Sequence, residues 1–313
     1  MIKKISLIFA FIVFVFILDI LCFYTKLYII NVDLKKRNLE LFLPQYTILK
    51  SQYSNNVDDF IQHKKYQIYK SKNKNSDKNK KELLLLLGCS YAFGVQLPHD
   101  KRFPKHLSEL LGMDIISFAF WGWGAHQMLW FSENRFLYDT IQTIYNTKPT
   151  YIIYVYMQDH VGRQILVRDP FLEVEPYLSY YDENGTLKLR KQNLLDKVLF
   201  RFFMYRCFIR DYQTKNVDNS YELLGKVILE TKKNIEKQYP EIPFIMLAYI
   251  QNEVSIEEEE MFTYLFDNGV QVIKTSDLTK RDLSSREYVL PDGYHPNSSA
   301  WELISPIFVK NLN

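Results

Sequence analysis

The stretch that most constrains this chain is Glu82-Leu83-Leu84-Leu85-Leu86-Leu87-Gly88-Cys89-Ser90-Tyr91-Ala92-Phe93-Gly94. A basic, polar run ends at Lys81, and five leucines follow without a break. An apolar run this short, closed by a glycine, predicts a strand buried on both faces. Leucine alone leans slightly toward helix, so the glycine and the short length decide it. Ser90 then stands at the apex of a small-residue turn. There the chain leaves the carboxyl end of a central parallel strand and starts the next helix. That placement is expected to expose the hydroxyl and to aim backbone N–H groups at it, which is how a nucleophile is presented. A serine capping an ordinary βα loop would give the same local pattern.

Far downstream stands Asp292-Gly293-Tyr294-His295-Pro296-Asn297. An acid and a histidine three residues apart on one turn can hydrogen-bond directly, leaving the imidazole free to face a serine brought from another strand. Acyl transfer needs this set: a serine nucleophile, an imidazole base, and a carboxylate that fixes the tautomer and stabilises the imidazolium. The segment also reads as a capped helix start with Pro296 at the first helical position. Both readings hold together if the site sits on the cap.

With these residues in place, the chain resembles the SGNH (GDSL-like) hydrolase family, and within it the membrane-anchored envelope esterases and O-acyltransferases. Gly88-Cys89-Ser90 with Gly94 matches the first family block, and Asp292 with His295 matches the last. Between them, Ile115 to Gly122 resembles the second block, whose glycine donates to the oxyanion, and Tyr151 to Asp159 resembles the third, a strand ending in Asn-Asp. The resemblance runs from about Glu82 to the end of the chain. Three positions depart from it: Cys89 replaces an aspartate, Ser117 an asparagine, and Gln158 the asparagine that completes the oxyanion hole. The resemblance implies a flavodoxin-like three-layer α/β/α sandwich on a parallel sheet. It also implies catalytic Ser90, Asp292 and His295, and an oxyanion hole built from the N–H groups of Ser90 and Gly122 and the side chain of Gln158.

Composition sets the bounds. The chain has 313 residues, a formal net charge of +3 and 47% hydrophobic residues, which suits one globular domain with an accessory segment. The mildly basic balance does not argue for nucleic acid. Three cysteines give no disulfide framework. Ile5 to Phe23 is apolar apart from Ser6 and Asp19, close to the roughly 20 residues that span a bilayer. No small-residue cleavage site follows it, so the expectation is an uncleaved anchor over residues 1–25. Lysines flank both sides and leave orientation open; the resemblance implies an extracytoplasmic, single-pass arrangement. Residues 26–81 read as a stem, ending in a Lys- and Asn-rich solvated loop from Lys70 to Lys81.

Helices are expected at Pro104–Gly112, Gln127–Tyr145, Glu222–Tyr239, Glu253–Asp267 and Pro296–Leu312, the last kinked at Pro306. Strands are expected at Asp114–Phe120, Tyr151–Met157, Pro243–Ile250 and Val270–Lys274. The repeated alternation implies a parallel sheet with helices on both faces. Residues 168–212 read as an insertion: a β-hairpin around Asn184-Gly185, then an aromatic-rich helix. Glu257 to Glu260 reads as a solvated face. No metal constellation is apparent, and no cofactor is expected. Trp121 and Trp123 could wall a sugar or acyl pocket or simply pack in the core. His160 and Arg163, past the third strand, are candidate substrate contacts; His160 could instead make a structural hydrogen bond, and Arg163 could pair with an acid such as Asp169.

The expected function is a membrane-anchored serine esterase or O-acyltransferase. Its expected substrate is an acylated envelope carbohydrate or another ester, and a membrane-protein partner is an accompanying expectation. A lipid esterase and a catalytically silent binding component of an assembly complex are the competing readings, the latter motivated by Cys89 and Gln158.

Overall fold

The computed structural model describes residues 14, 17–19, 21, 60–63, 66–71, 82–119, 123–161, 177–181, 187–191 and 220–312, with side chains omitted for those between 60 and 71 and between 177 and 191. Its centre is the leucine run. Strand β3 (Leu83–Gly88) is buried at every position. Because side chains alternate along a strand, Leu83, Leu85 and Leu87 enter one core and Leu84 and Leu86 the other. The sheet therefore needs cover on both faces.

Around it stand β4 (Asp114–Ala119), β5 (Tyr151–Met157), β8 (Phe244–Tyr249) and β9 (Gln271–Lys274), all parallel, in the order β4-β3-β5-β8-β9. The order reverses between β3 and β5. In a doubly wound sheet such a switch point opens a crevice at the carboxyl ends of the strands. One face is covered by α1 (Ser90–Phe93), α2 (Phe103–Leu111) and α8 (Ser298–Lys310), with Phe103 stacked on Trp301 at 4.3 Å. The other is covered by α3 (Ala125–Glu133), α4 (Phe136–Ile144), α5 (Ser220–Glu236) and α6 (Ile256–Asp267). A short helix, α7 (Thr275–Leu278), follows β9. The parallel-sheet α/β class read from the sequence is the one observed.

Two local expectations are corrected. The helix expected over Gln127–Tyr145 is two helices. Arg135 adopts the left-handed conformation at φ 57°, and the chain turns so that Phe136 stacks on Phe131 at 5.1 Å and meets Phe118 at 6.0 Å. Burying that aromatic cluster outweighs the helical periodicity of the sequence. Pro296 is not the first residue of α8: it bridges to Val289, and Asn297 caps the helix by accepting the N–H of Ala300. Pro306 falls inside α8, which continues to Lys310.

Part of the expected stem joins the sheet. β1 (Phe60–His63) and β2 (Tyr66–Ser71) form an antiparallel pair, and β2 pairs antiparallel with β4. The hairpin expected in the insertion is present as β6 (Tyr177–Tyr181) against β7 (Leu187–Lys191), in a separate two-stranded sheet. The aromatic-rich helix expected after it lies outside the described residues. So does nearly all of the Ile5–Phe23 run; Phe14, Ile17 to Asp19 and Leu21 are helical. Among the described residues no helix is long and apolar enough to cross a membrane.

Gly88 closes β3 at φ +149°, and a β-carbon there would lie 3.0 Å from Ala92 Cβ and 3.1 Å from the Val155 carbonyl oxygen. Neither neighbour is a flexible side-chain end. Gly88→Ala should therefore destabilise the protein by about 1–3 kcal/mol through backbone strain and overpacking. Urea unfolding will check this, and an unchanged midpoint would contradict it.

Candidate active site

The turn after β3 is built to hold one hydroxyl in place. Cys89 is extended and fully buried, and Ser90 begins the single helical turn α1. Gly94 closes that turn in the left-handed conformation, its N–H donating to the carbonyls of Ser90 and Tyr91 at 3.0 and 3.2 Å. The first N–H groups of a helical turn have no partner within it. Ser90 itself is only 1% exposed. The exposed hydroxyl expected from the sequence is thus corrected: Ser90 is covered, while the His295 and Asp292 side chains remain partly exposed, at 19% and 14%.

Asp292 does two jobs on the opposing loop. Its Oδ1 accepts the N–H groups of Tyr294 at 2.9 Å and His295 at 3.0 Å, which folds the turn, and Gly293 supplies the positive φ of 76° that the turn requires. Its Oδ2 lies 2.6 Å from His295 Nδ1. Burial pushes the Asp292 carboxyl up, but the hydrogen bond and charge of His295, with the two backbone N–H groups, together hold it below the ordinary carboxylate range. An ionised carboxylate only accepts, so Nδ1 carries the imidazole proton. The lone pair of Nε2 then faces the Ser90 hydroxyl at 2.9 Å. Ser90 and His295, 205 residues apart in sequence, are brought together by β3 on one side and the loop before α8, which also carries Asp292, on the other.

The loop is anchored further along. The Leu290 N–H donates to the His295 carbonyl at 2.8 Å, and Asn297 Nδ2 donates to the carbonyls of Glu287 and Val289 at 2.8 and 3.2 Å.

The remaining sequence candidates fare differently. Gln158 sits at the carboxyl end of β5, but its Nε2 donates to the Glu253 carbonyl at 3.2 Å and to Glu258 Oε2 at 3.1 Å, while its Oε1 accepts from Asn252 at 3.2 Å. Both amide hydrogens thus already have acceptors. His160 is fully buried, with Nδ1 2.6 Å from the Tyr154 hydroxyl. Trp123 is buried, its ring 4.9 Å from that of Phe131. Trp121, Gly122 and Arg163 lie outside the described residues. Among the described residues no group of His, Cys, Asp and Glu could hold a metal ion.

Glu258, Tyr91 and Gln251 gave no functional signal in the sequence. Glu258 belongs to an acidic run read as a solvated face. That reading is corrected for this residue: Glu258 is fully buried and accepts from the Tyr156 hydroxyl at 2.6 Å. Burial first, then Glu258, push the Tyr156 phenol well up, so it remains a donor. Ser255 caps α6 by accepting the N–H of Glu258, a Ser-x-x-Glu spacing visible in the sequence. Tyr91 and Gln251 both reach the Tyr294 carbonyl, Tyr91 directly after the serine and Gln251 just past β8.

No protein-family model matches the sequence, and no curated protein matches it. Several solved structures are similar. A protein of the G-D-S-L family from Desulfitobacterium hafniense DCB-2 is 13% identical, over 74% of this chain and 99% of that one, with a TM-score of 0.44. The salicylyl-acyltransferase SsfX3 from a tetracycline biosynthetic pathway is 11% identical, over 75% of this chain and 56% of that one, with a TM-score of 0.43. The acetyl xylan esterase Est2A from the rumen bacterium Butyrivibrio proteoclasticus is 11% identical, over 74% of this chain and 63% of that one, with a TM-score of 0.41.

Proposed function

We propose that this chain is a serine esterase or O-acyltransferase, working through an acyl-enzyme on Ser90. The observation that carries the reading is the continuous chain of two hydrogen bonds, 2.9 Å from Ser90 Oγ to His295 Nε2 and 2.6 Å from His295 Nδ1 to Asp292. Ser90 Oγ attacks the acyl carbonyl carbon as its proton passes to His295 Nε2. The tetrahedral oxyanion faces the Ser90 N–H, joined by the Gly122 N–H and Gln158 Nε2 as the other proposed donors. The ester bond then breaks, and the alcohol leaves with the proton from His295. Water, or an acceptor hydroxyl, repeats the sequence in reverse to release the acyl group. Hydrolysis and transfer differ only in that acceptor.

The proposed substrate is a small acyl ester, acetyl by family resemblance, on an envelope carbohydrate. The apolar Ile5–Phe23 run motivates the proposal of a single-pass anchor with the catalytic domain outside the cytoplasm. One observation favours the second reading, a silent binding component: Gln158 is engaged by Glu253 and Glu258. To serve the oxyanion it exchanges the longer of those bonds, to the Glu253 carbonyl, for the transition state.

Ser90→Ala should abolish turnover of an activated acetyl ester in a folded protein, and activity equal to wild type would sink the mechanism. Asp292→Asn should lower kcat by about 10⁴-fold, because the imidazole loses its enforced tautomer. Asp292 titrates lower in the folded protein than in the unfolded chain, so its stabilising effect is complete at neutral pH and is lost as pH falls through the folded value. The stability difference between wild type and Asp292→Asn should therefore shrink on acidification; a difference constant with pH would contradict the ionised carboxylate.

Gln158→Ala should lower kcat by about 10²–10³-fold with little change in KM, the usual effect of losing one oxyanion donor. A kcat within a few-fold of wild type removes Gln158 from the hole and strengthens the binding-component reading. For placement, a reporter fused after Asn313 that works only outside the cytoplasm should be active; signal from a cytoplasm-dependent reporter alone would overturn the proposed topology.

A further inference from the structure

The peptide unit that joins Tyr294 to His295 is held from both ends. Its N–H, that of His295, donates to Asp292 Oδ1 at 3.0 Å. Its carbonyl, that of Tyr294, meets two donors: the Tyr91 hydroxyl at 2.6 Å and Gln251 Nε2 at 2.9 Å. The Tyr91 hydroxyl also lies 2.8 Å from Gln251 Oε1, so its one proton is shared between that oxygen and the nearer Tyr294 carbonyl. Tyr91 is buried, its ring edge-on to Tyr249 at 5.4 Å and tilted against the His295 ring at 5.4 Å. A planar peptide pinned at both its N–H and its carbonyl has no freedom to rotate, and the imidazole leaves the backbone one bond beyond it. Meanwhile the Tyr294 side chain is 52% exposed, so the main chain of that residue, and not its ring, is what the interior grips.

We propose that Tyr91 and Gln251 are positioning residues that set His295 against Ser90, an inference that rests on the serine-hydrolase reading above. Tyr91 directly follows the nucleophile, so its hydroxyl ties the Ser90 turn to the His295 loop by a path independent of the Ser90–His295 contact. Gln251 ties the same carbonyl to the end of β8. Nucleophile and base are therefore registered to each other before substrate arrives. Misplacing an otherwise intact base costs rate rather than binding, because alignment matters mainly in the transition state.

Tyr91→Phe keeps the ring and its packing and deletes only the bond. It should lower kcat roughly tenfold, the kinetic equivalent of about one hydrogen bond, with KM nearly unchanged. Gln251→Ala should do likewise. Rates are taken per active site, counted by burst titration, so that a loss of folded protein is not read as a loss of positioning. A kcat per titrated site within twofold of wild type for both variants overturns the proposal, as does a matching rise in KM that leaves kcat intact. A second readout needs no turnover: amide hydrogen exchange across residues 290–297 should quicken in Tyr91→Phe while β3 keeps its protection. Faster exchange in a protein whose wild type hydrolyses no ester leaves the clamp standing and removes the hydrolase reading. Unchanged exchange with unchanged kcat, in a wild type that depends on Ser90, removes the clamp and leaves the hydrolase.

Discussion

The burial of one strand on both faces is the constraint from which the rest of this structure follows. Five consecutive leucines with no polar member cannot line a sheet that meets water on either side. Cover on both faces requires helices on both faces, and helices between parallel strands require crossovers. The strand order then reverses beside β3, and Ser90 emerges where such a sheet opens. Gly88 and Gly94 bracket that emergence, one by close approach to β5 and the other by capping the turn. The apolar run, in other words, determines where the hydroxyl must be.

What the opposing loop adds is economy of charge. A single carboxylate folds its own turn through two backbone N–H groups and orients the imidazole with its second oxygen. The same bonds that hold its titration low keep it ionised where the histidine needs a fixed tautomer. Ser90 is almost wholly buried, so its hydroxyl meets His295 where water screens the contact little. Asn297 and the Val289–Pro296 bridge anchor the following chain, so Asp292 and His295 sit on a braced segment rather than a free loop.

The sequence made this much legible because the signals are local. Leu83–Leu87 with Gly88 is a short-range pattern, and so is Asp292 three residues before His295. The β5 and β8 strands show the same continuous apolar runs. What stayed hidden depends on contacts between distant segments. Glu258 sits in a run of four glutamates with nothing local to mark it, and its partners are Tyr156 on β5 and Gln158 just past it. Gln251 gains its role only where Tyr91 and Tyr294 converge on it. Arg135 breaks a helix whose periodicity continues, because Phe136 finds a better place against Phe131 and Phe118. Trp123, one residue past Gly122, reads equally as wall or core from the sequence, and its packing against Phe131 has no local signal.

The central claim is that Ser90 is a nucleophile activated by His295. It is tested most directly by trapping the covalent intermediate: brief exposure to an activated acetyl ester, acid quench, and peptide mass spectrometry of the wild type beside His295→Ala. The account predicts an acetyl group on the peptide bearing Ser90 in the wild type and none there in the variant. An unmodified Ser90 in a folded wild type, or equal labelling of Ser90 in both proteins, would contradict it.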